Sequence, residues 1–95
     1  MPYISKTDRE TLDPVVDIAV RAMEKKPFEE SLGDLNYLFS RIISRHMGQV
    51  SYGKIAMATG VLENIKQEFY RRAAAPYEDM KIQSNGDIQE YSPEP

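Results

Sequence analysis

The stretch EFYRRAAAPYED, residues 68–79, decides how this chain folds. A Phe-Tyr pair precedes two arginines, three alanines and a proline, and an acidic pair follows. Ala75 precedes Pro76, and the residue before a proline is pushed away from helical geometry. The stretch therefore predicts a helix that kinks or stops at Pro76. Phe69 is expected in the core, with Arg71 and Arg72 mostly exposed at the helix end. Beyond the proline, YEDMKIQSNG predicts a further turn or two, closed by Asn85-Gly86.

Upstream, Ser51 is a helix N-cap candidate. Ile55, Ala58, Leu62, Ile65, Phe69 and Ala73 follow it with near-heptad spacing. Met57, Val61 and Tyr70 make a second apolar edge. One stripe is expected to serve the chain's own core, and the exposed second stripe to meet a partner. Gly60 is a costly residue inside a helix and marks either a close helix crossing or a tolerated glycine.

Before it, FEESLGDLNYLFSRIISRHMG, residues 28–48, holds the cleanest helical period: Leu35, Leu38, Phe39, Ile42, Ile43 and then His46-Met47. Ser31 or Asp34 is the expected cap, and Gly48 suits the position after the last turn because left-handed backbone costs glycine little. The short Gln49-Val50 link predicts an antiparallel helix hairpin. At the N-terminal end, Thr7–Glu10 has the form of a capping box. Leu12-Asp13-Pro14 looks like a second helix start, because proline suits the first helical position. Val15, Ile18, Ala19, Ala22 and Met23 then form one stripe, stopped by Lys25-Lys26-Pro27.

The expected fold is all-α: a small helical bundle built on that hairpin, with a kinked C-terminal extension, in oligomeric form. Residues 1–86 form one helical domain, and residues 87–95, DIQEYSPEP, an acidic proline-containing tail on which Ile88 and Tyr91 are candidates for docking. Ninety-five residues bury only roughly 60–65% of the surface the unfolded chain exposes. That leaves little room for a deep catalytic cleft, and self-association is one way to add buried area. The chain has no cysteine, which excludes disulfides and thiolate metal sites and fits a reducing compartment. No apolar run reaches a membrane span, so a cytoplasmic location in a bacterium or a phage-infected cell is expected.

The net charge of −3 conceals a pattern. A basic middle, from Arg41 to Arg72, lies between acidic ends. Such a block either binds an anion or pairs internally with its flanks.

The motifs MPYI, GDLNYL, GVLE, EFYRR, APYED and NGD together resemble a family of small uncharacterised proteins of phages and bacteria. The resemblance runs over nearly the whole chain. It implies a small, mostly helical protein and carries no catalytic residue with it.

The basic residues are the best candidates for a site. Arg41 and Arg45 share a helix face at i, i+4; Tyr52, Tyr70, Arg71 and Arg72 supply the remaining aromatic and guanidinium groups. Guanidinium beside an aromatic plane is the chemistry of phosphate and nucleotide recognition. The hairpin sets Arg71 and Arg72 far from Arg41 and Arg45 within one chain, so all four meet only across a subunit interface. The plain alternative is that Arg71 and Arg72 end their helix and pair with Glu68, Glu78 or Asp79. His46, the sole histidine, lacks the nucleophile and carboxylate motif of a triad and reads as a capping or interfacial residue. No Glu-x-x-Glu pair and no P-loop appears. Nothing calls for a cofactor or a resident metal, and double-stranded DNA is disfavoured by the negative net charge.

The functional expectation is a non-enzymatic interaction module acting as a homo-oligomer, with no membrane partner and an anionic small molecule as a candidate ligand. Two other classes remain open. One is a nucleotide-binding sponge, since ATGVLENIKQEFYRRAAAP is similar to one helix of phage proteins that sequester immune cyclic nucleotides between subunits. The other is an Mg²⁺-dependent all-α nucleotide pyrophosphohydrolase, whose glutamates on facing helices hold the cation.

Overall fold

The computed structural model describes residues 4–92. Residues 1–3, which carry part of the MPYI motif, and residues 93–95 of the tail lie outside the described residues. Everything described is helix or short connection: α1 (Lys6–Met23), a 3₁₀ turn (Phe28–Glu30), α2 (Leu32–Met47), α3 (Tyr52–Phe69), a π turn (Tyr70–Ala74), α4 (Ala75–Asn85) and a last 3₁₀ turn (Gln89–Tyr91). No strand occurs among the described residues. The chain divides into two units, Met1–Gly48 and Gln49–Pro95.

In the first unit, α1 begins two residues earlier than a Thr7 capping box requires. The Ser5 hydroxyl takes the cap, accepting from the Asp8 N–H at 3.2 Å, so Thr7 is already helical. The expected second start at Asp13-Pro14 is absent as well. Pro14 lies inside α1, where it removes one donor from the ladder. Helix α1 ends at Met23, just before Lys25-Lys26-Pro27.

The turn into α2 is a compact knot around Ser31, the one buried residue among those described (4% exposed). Its hydroxyl donates to the Pro27 carbonyl at 3.2 Å, its N–H donates to the Phe28 carbonyl at 2.9 Å, and its carbonyl accepts from the Leu35 N–H at 2.9 Å. A buried hydroxyl without such partners is costly, so Ser31 caps through its backbone while its side chain ties back to the preceding turn. Lys26 and Asp34 close the same turn with a 3.1 Å ion pair. The α2 period holds as expected, with Leu35, Leu38, Ile43 and Met47 half-buried. Gly48 ends the helix at φ 73°, a conformation that favours glycine. Between α1 and α2 lies an open groove of about 540 Å³, walled by Val15, Ile18 and Ala22 on one side and Leu38 and Ile42 on the other.

The second unit is helical from Tyr52 to Asn85 without interruption. Ser51 caps it, its hydroxyl accepting from the Lys54 N–H at 3.3 Å, and Gly86 closes it at φ 87°. Of the expected kink or stop at Pro76, the stop is corrected: the chain stays helical through the proline. The local change is the π turn immediately before it, in which the Ala75 N–H donates to the Tyr70 carbonyl five residues back. Proline cannot donate, and its ring clashes with the carbonyl four residues earlier. A turn with one extra residue opens the ladder at that point and lets the helix resume.

The expectation of a buried Phe69 is also corrected. Phe69 is 68% exposed, and no apolar side chain among the described residues is buried. The second unit by itself is one helix with a short tail, and a single helix has no second layer against which to bury a stripe. Ile88 and Tyr91 are exposed too, rather than docked.

Candidate functional site

Of the six residues singled out by the sequence, Arg41 and Arg45 belong to the first unit; Tyr52, Tyr70, Arg71 and Arg72 belong to the second. On α2, residues 37, 41 and 45 fall at i, i+4, i+8 and share one face. The Arg41 guanidinium lies 5.7 Å from the Tyr37 ring centroid and donates to the Tyr37 hydroxyl at 3.3 Å. The ring thus holds the guanidinium by its face and its hydroxyl together. Arg45 and His46 extend the stripe by a further turn, and Leu38 and Ile42 give it an apolar floor beside a hollow of about 500 Å³. Among the described residues, neither Arg41 nor Arg45 has a carboxylate partner.

The second set is paired internally. Arg71 donates to Glu68 at 2.6 Å, and Arg72 lies 3.5 Å from the other oxygen of the same carboxylate. The Arg71 guanidinium holds the Glu68 carboxyl below the ordinary carboxylate value. Tyr70 donates to both oxygens of Glu78, at 2.9 and 3.1 Å, across the π turn. Tyr52 stands alone at the start of α3, 89% exposed. Arg71 and Arg72 therefore follow the plain reading, ion pairing at i−3 and i−4, with Glu68 as the partner. Lys66 pairs with Glu63 at 3.8 Å in the same way.

The Tyr70–Glu78 bond has a consequence in alkaline solution. The neutral phenol donates and the phenolate cannot, and the Glu78 charge opposes a second negative charge. Together these raise the Tyr70 pKa above its ordinary value. The stability this bond contributes is complete below the pKa of a free tyrosine and is lost as pH rises through the folded value. In a spectrophotometric titration at 295 nm, one of the six tyrosines is expected to ionise after the rest, and Tyr70→Phe to delete that late component. A variant whose late component persists would assign it elsewhere.

The sequence signals for Arg41 and for Arg71–Arg72 were simple helical spacings. The π turn and the Tyr70–Glu78 bond were not anticipated, since counting at i, i+3 and i, i+4 does not reach a partner eight residues away. No group of three or more His, Asp or Glu side chains among the described residues is placed to hold a metal ion. No helix among them is long and apolar enough to cross a membrane.

Residues 1–88 match the model of a family described as Domain of unknown function (DUF6899). No curated protein and no solved structure matches the chain.

Proposed function

The chain belongs to that family, and from this premise we propose that it is a non-enzymatic interaction module that works as a homo-oligomer. The observation carrying the proposal is the absence of any buried apolar side chain among the described residues, with Ile55, Leu62, Ile65, Phe69, Tyr77 and Met80 each about half exposed or more. Burial of such groups is worth about 1.5–3 kcal/mol each, and a chain of this size has little other source of stability. Association supplies what one copy leaves uncovered. The setting is a bacterial or phage-infected cytoplasm, on the resemblance of the motifs.

A second reading rests on Arg41 and Arg45. Two guanidiniums without carboxylate partners among the described residues, one of them held against Tyr37, suit a phosphate-bearing aromatic ligand such as a nucleotide. In the assembly, Arg71, Arg72, Tyr70 and Tyr52 are the candidates to complete such a site. The Mg²⁺ pyrophosphohydrolase class has no observation in its favour.

One preparation tests both. Light scattering at micromolar concentration is expected to give a dimer or larger; a strict monomer of 10.9 kDa across dilution sinks the main proposal. Nucleotide released from the heat-denatured protein, and lost from the Arg41→Gln/Arg45→Gln variant, supports the second. Protein free of nucleotide that binds none in titration ends it.

A further inference from the structure

We infer that the helix of the second unit carries one continuous seam, that its occupant is the same helix of a second copy, and that the π turn keeps the seam on one face. The inference rests on the homo-oligomer proposal and specifies its interface.

The apolar positions of α3 step 3-4-3-4: Ile55, Ala58, Leu62, Ile65, Phe69. That is the spacing of a and d positions in a coiled coil, with Ile55, Leu62 and Phe69 at a. Continued without a change, the count places Arg72, Pro76, Asp79 and Gln83 on the seam. A stripe of arginine, proline and aspartate cannot be covered by an apolar partner. One residue inserted after Phe69 moves every later position by one, and the seam then reads Ala73, Tyr77, Met80, Ser84. The structure makes that insertion at that place. The π turn spans Tyr70–Ala74, and its i→i−5 hydrogen bond takes up one residue more than an α turn does. An extra residue in a heptad pattern otherwise rotates the following helix by about 100°, one residue's share of a 3.6-residue turn. The π turn absorbs that rotation. It also leaves Arg72 beside the seam, where it reaches back to Glu68.

The occupant follows from length. From Ile55 to Ser84 the seam runs about 44 Å at 1.5 Å per residue. Helices α1 and α2, with 18 and 16 residues, span about 27 and 24 Å. No other described helix of the chain matches the seam, and a second copy of the same helix does. Gly60 falls at an f position, opposite the seam, and a Cβ built there meets no atom within 4 Å. Of the second apolar edge named from the sequence, Val61 at g flanks the seam, and Met57 at c and Tyr70, the residue after an a position, lie towards the outer face.

The chain contains no cysteine, so a single introduced thiol reports one position. Ile65→Cys and Met80→Cys place thiols on the seam, on either side of the π turn; Gln67→Cys and Asp79→Cys place them off it. In full-length protein shown by light scattering to be oligomeric, the two seam thiols are expected to react with a maleimide at least tenfold more slowly than the other two. Removal of Ala74, made in a Pro76→Ala background so that a regular α turn is free to form, takes out the extra residue and continues the heptad count through position 80, so both thiols are expected to stay protected. Pro76→Ala alone leaves both protected, whereas insertion of one alanine after Ala74 adds a residue that the π turn has not absorbed and is expected to expose the thiol at 80 and leave the one at 65 protected. Equal reactivity at all four positions of an oligomer overturns the seam while the homo-oligomer stands. Exposure at 80 on removal of Ala74, or protection at 80 that survives the insertion, overturns the role of the π turn. A monomer with protected seam thiols overturns both proposals and assigns the cover to the chain itself.

Discussion

Replacing Pro14 by alanine is expected to stabilise the protein by about 2 kcal/mol. Pro14 is the ninth residue of α1 (Lys6–Met23), well past the first turn, where a missing N–H does no harm. In a helix interior proline is about 3 kcal/mol worse than alanine, because it removes a hydrogen bond and presses its ring against the carbonyl four residues back. Part of that gain is returned, since proline restricts the unfolded chain by about 0.4–1 kcal/mol relative to freer residues. For a domain of this size, each kcal/mol moves the melting temperature by about 4–8 °C. Thermal unfolding followed by circular dichroism should therefore show a rise on the order of 10 °C. The competing possibility is built into the sequence, because Asp13-Pro14 has the form of a helix start. If α1 begins there in solution, Pro14 sits where proline is favoured and Pro14→Ala brings no gain. In that case Asp13→Ala costs about 1 kcal/mol, the usual loss of a side-chain cap. Under the first arrangement Pro14→Ala raises stability, and under the second Pro14→Ala is neutral and Asp13→Ala lowers it.

The same pair of residues shows where local sequence signals stop being decisive. Ser51, Gly48 and Gly86 were legible because each cap is a short-range requirement: a hydroxyl three residues before an orphan N–H, or a φ that only glycine adopts cheaply. The period of α2 was legible because its apolar residues repeat through the whole helix. Pro14 and Pro76 carry two different single-residue signals, a preference for the first helical position and a pre-proline bias away from helix, and neither interrupts the helix. Each is a preference of one residue, outweighed at Pro14 by a cap upstream at Ser5 and at Pro76 by a π turn at Tyr70–Ala74. A trace of the π turn was present in the sequence all the same. The heptad count from Phe69 to Tyr77 is one residue too long, and only an inserted residue in the helix reconciles it. Among the candidate site residues, Arg71–Glu68 and Arg41–Tyr37 were within reach of i, i+3 and i, i+4 counting. Burial was not. Periodicity tells which side chains share a face, and it is silent on whether that face meets the same chain or another. The pattern therefore points Phe69 to a core that is not found among the described residues.

Replacing Phe69 by alanine is expected to cost about 3–5 kcal/mol per chain in the assembled protein and close to nothing in the dissociated one. In one copy the ring is 68% exposed, and truncation of a side chain so open to water changes stability by roughly 0.5 kcal/mol or less. On the seam it occupies the a position just before the π turn, at the middle of the Ile55–Ser84 stripe. There its removal forfeits the transfer of a whole aromatic ring and leaves a cavity, the combination behind losses of about 3–5 kcal/mol. Three kcal/mol of association is about two decades in Kd. Sedimentation equilibrium should show the dissociation constant of Phe69→Ala raised by at least about a hundredfold, and urea unfolding should show a midpoint deficit that shrinks as the protein is diluted. The dependence on concentration is the discriminating feature. A cost that stays constant across dilution places Phe69 in the core of its own chain, as the sequence pattern alone suggests. A negligible cost at every concentration removes Phe69 from any interface, and with it the centre of the seam. A loss that appears with association and vanishes with dilution ties the fold of this helix to the presence of its partner.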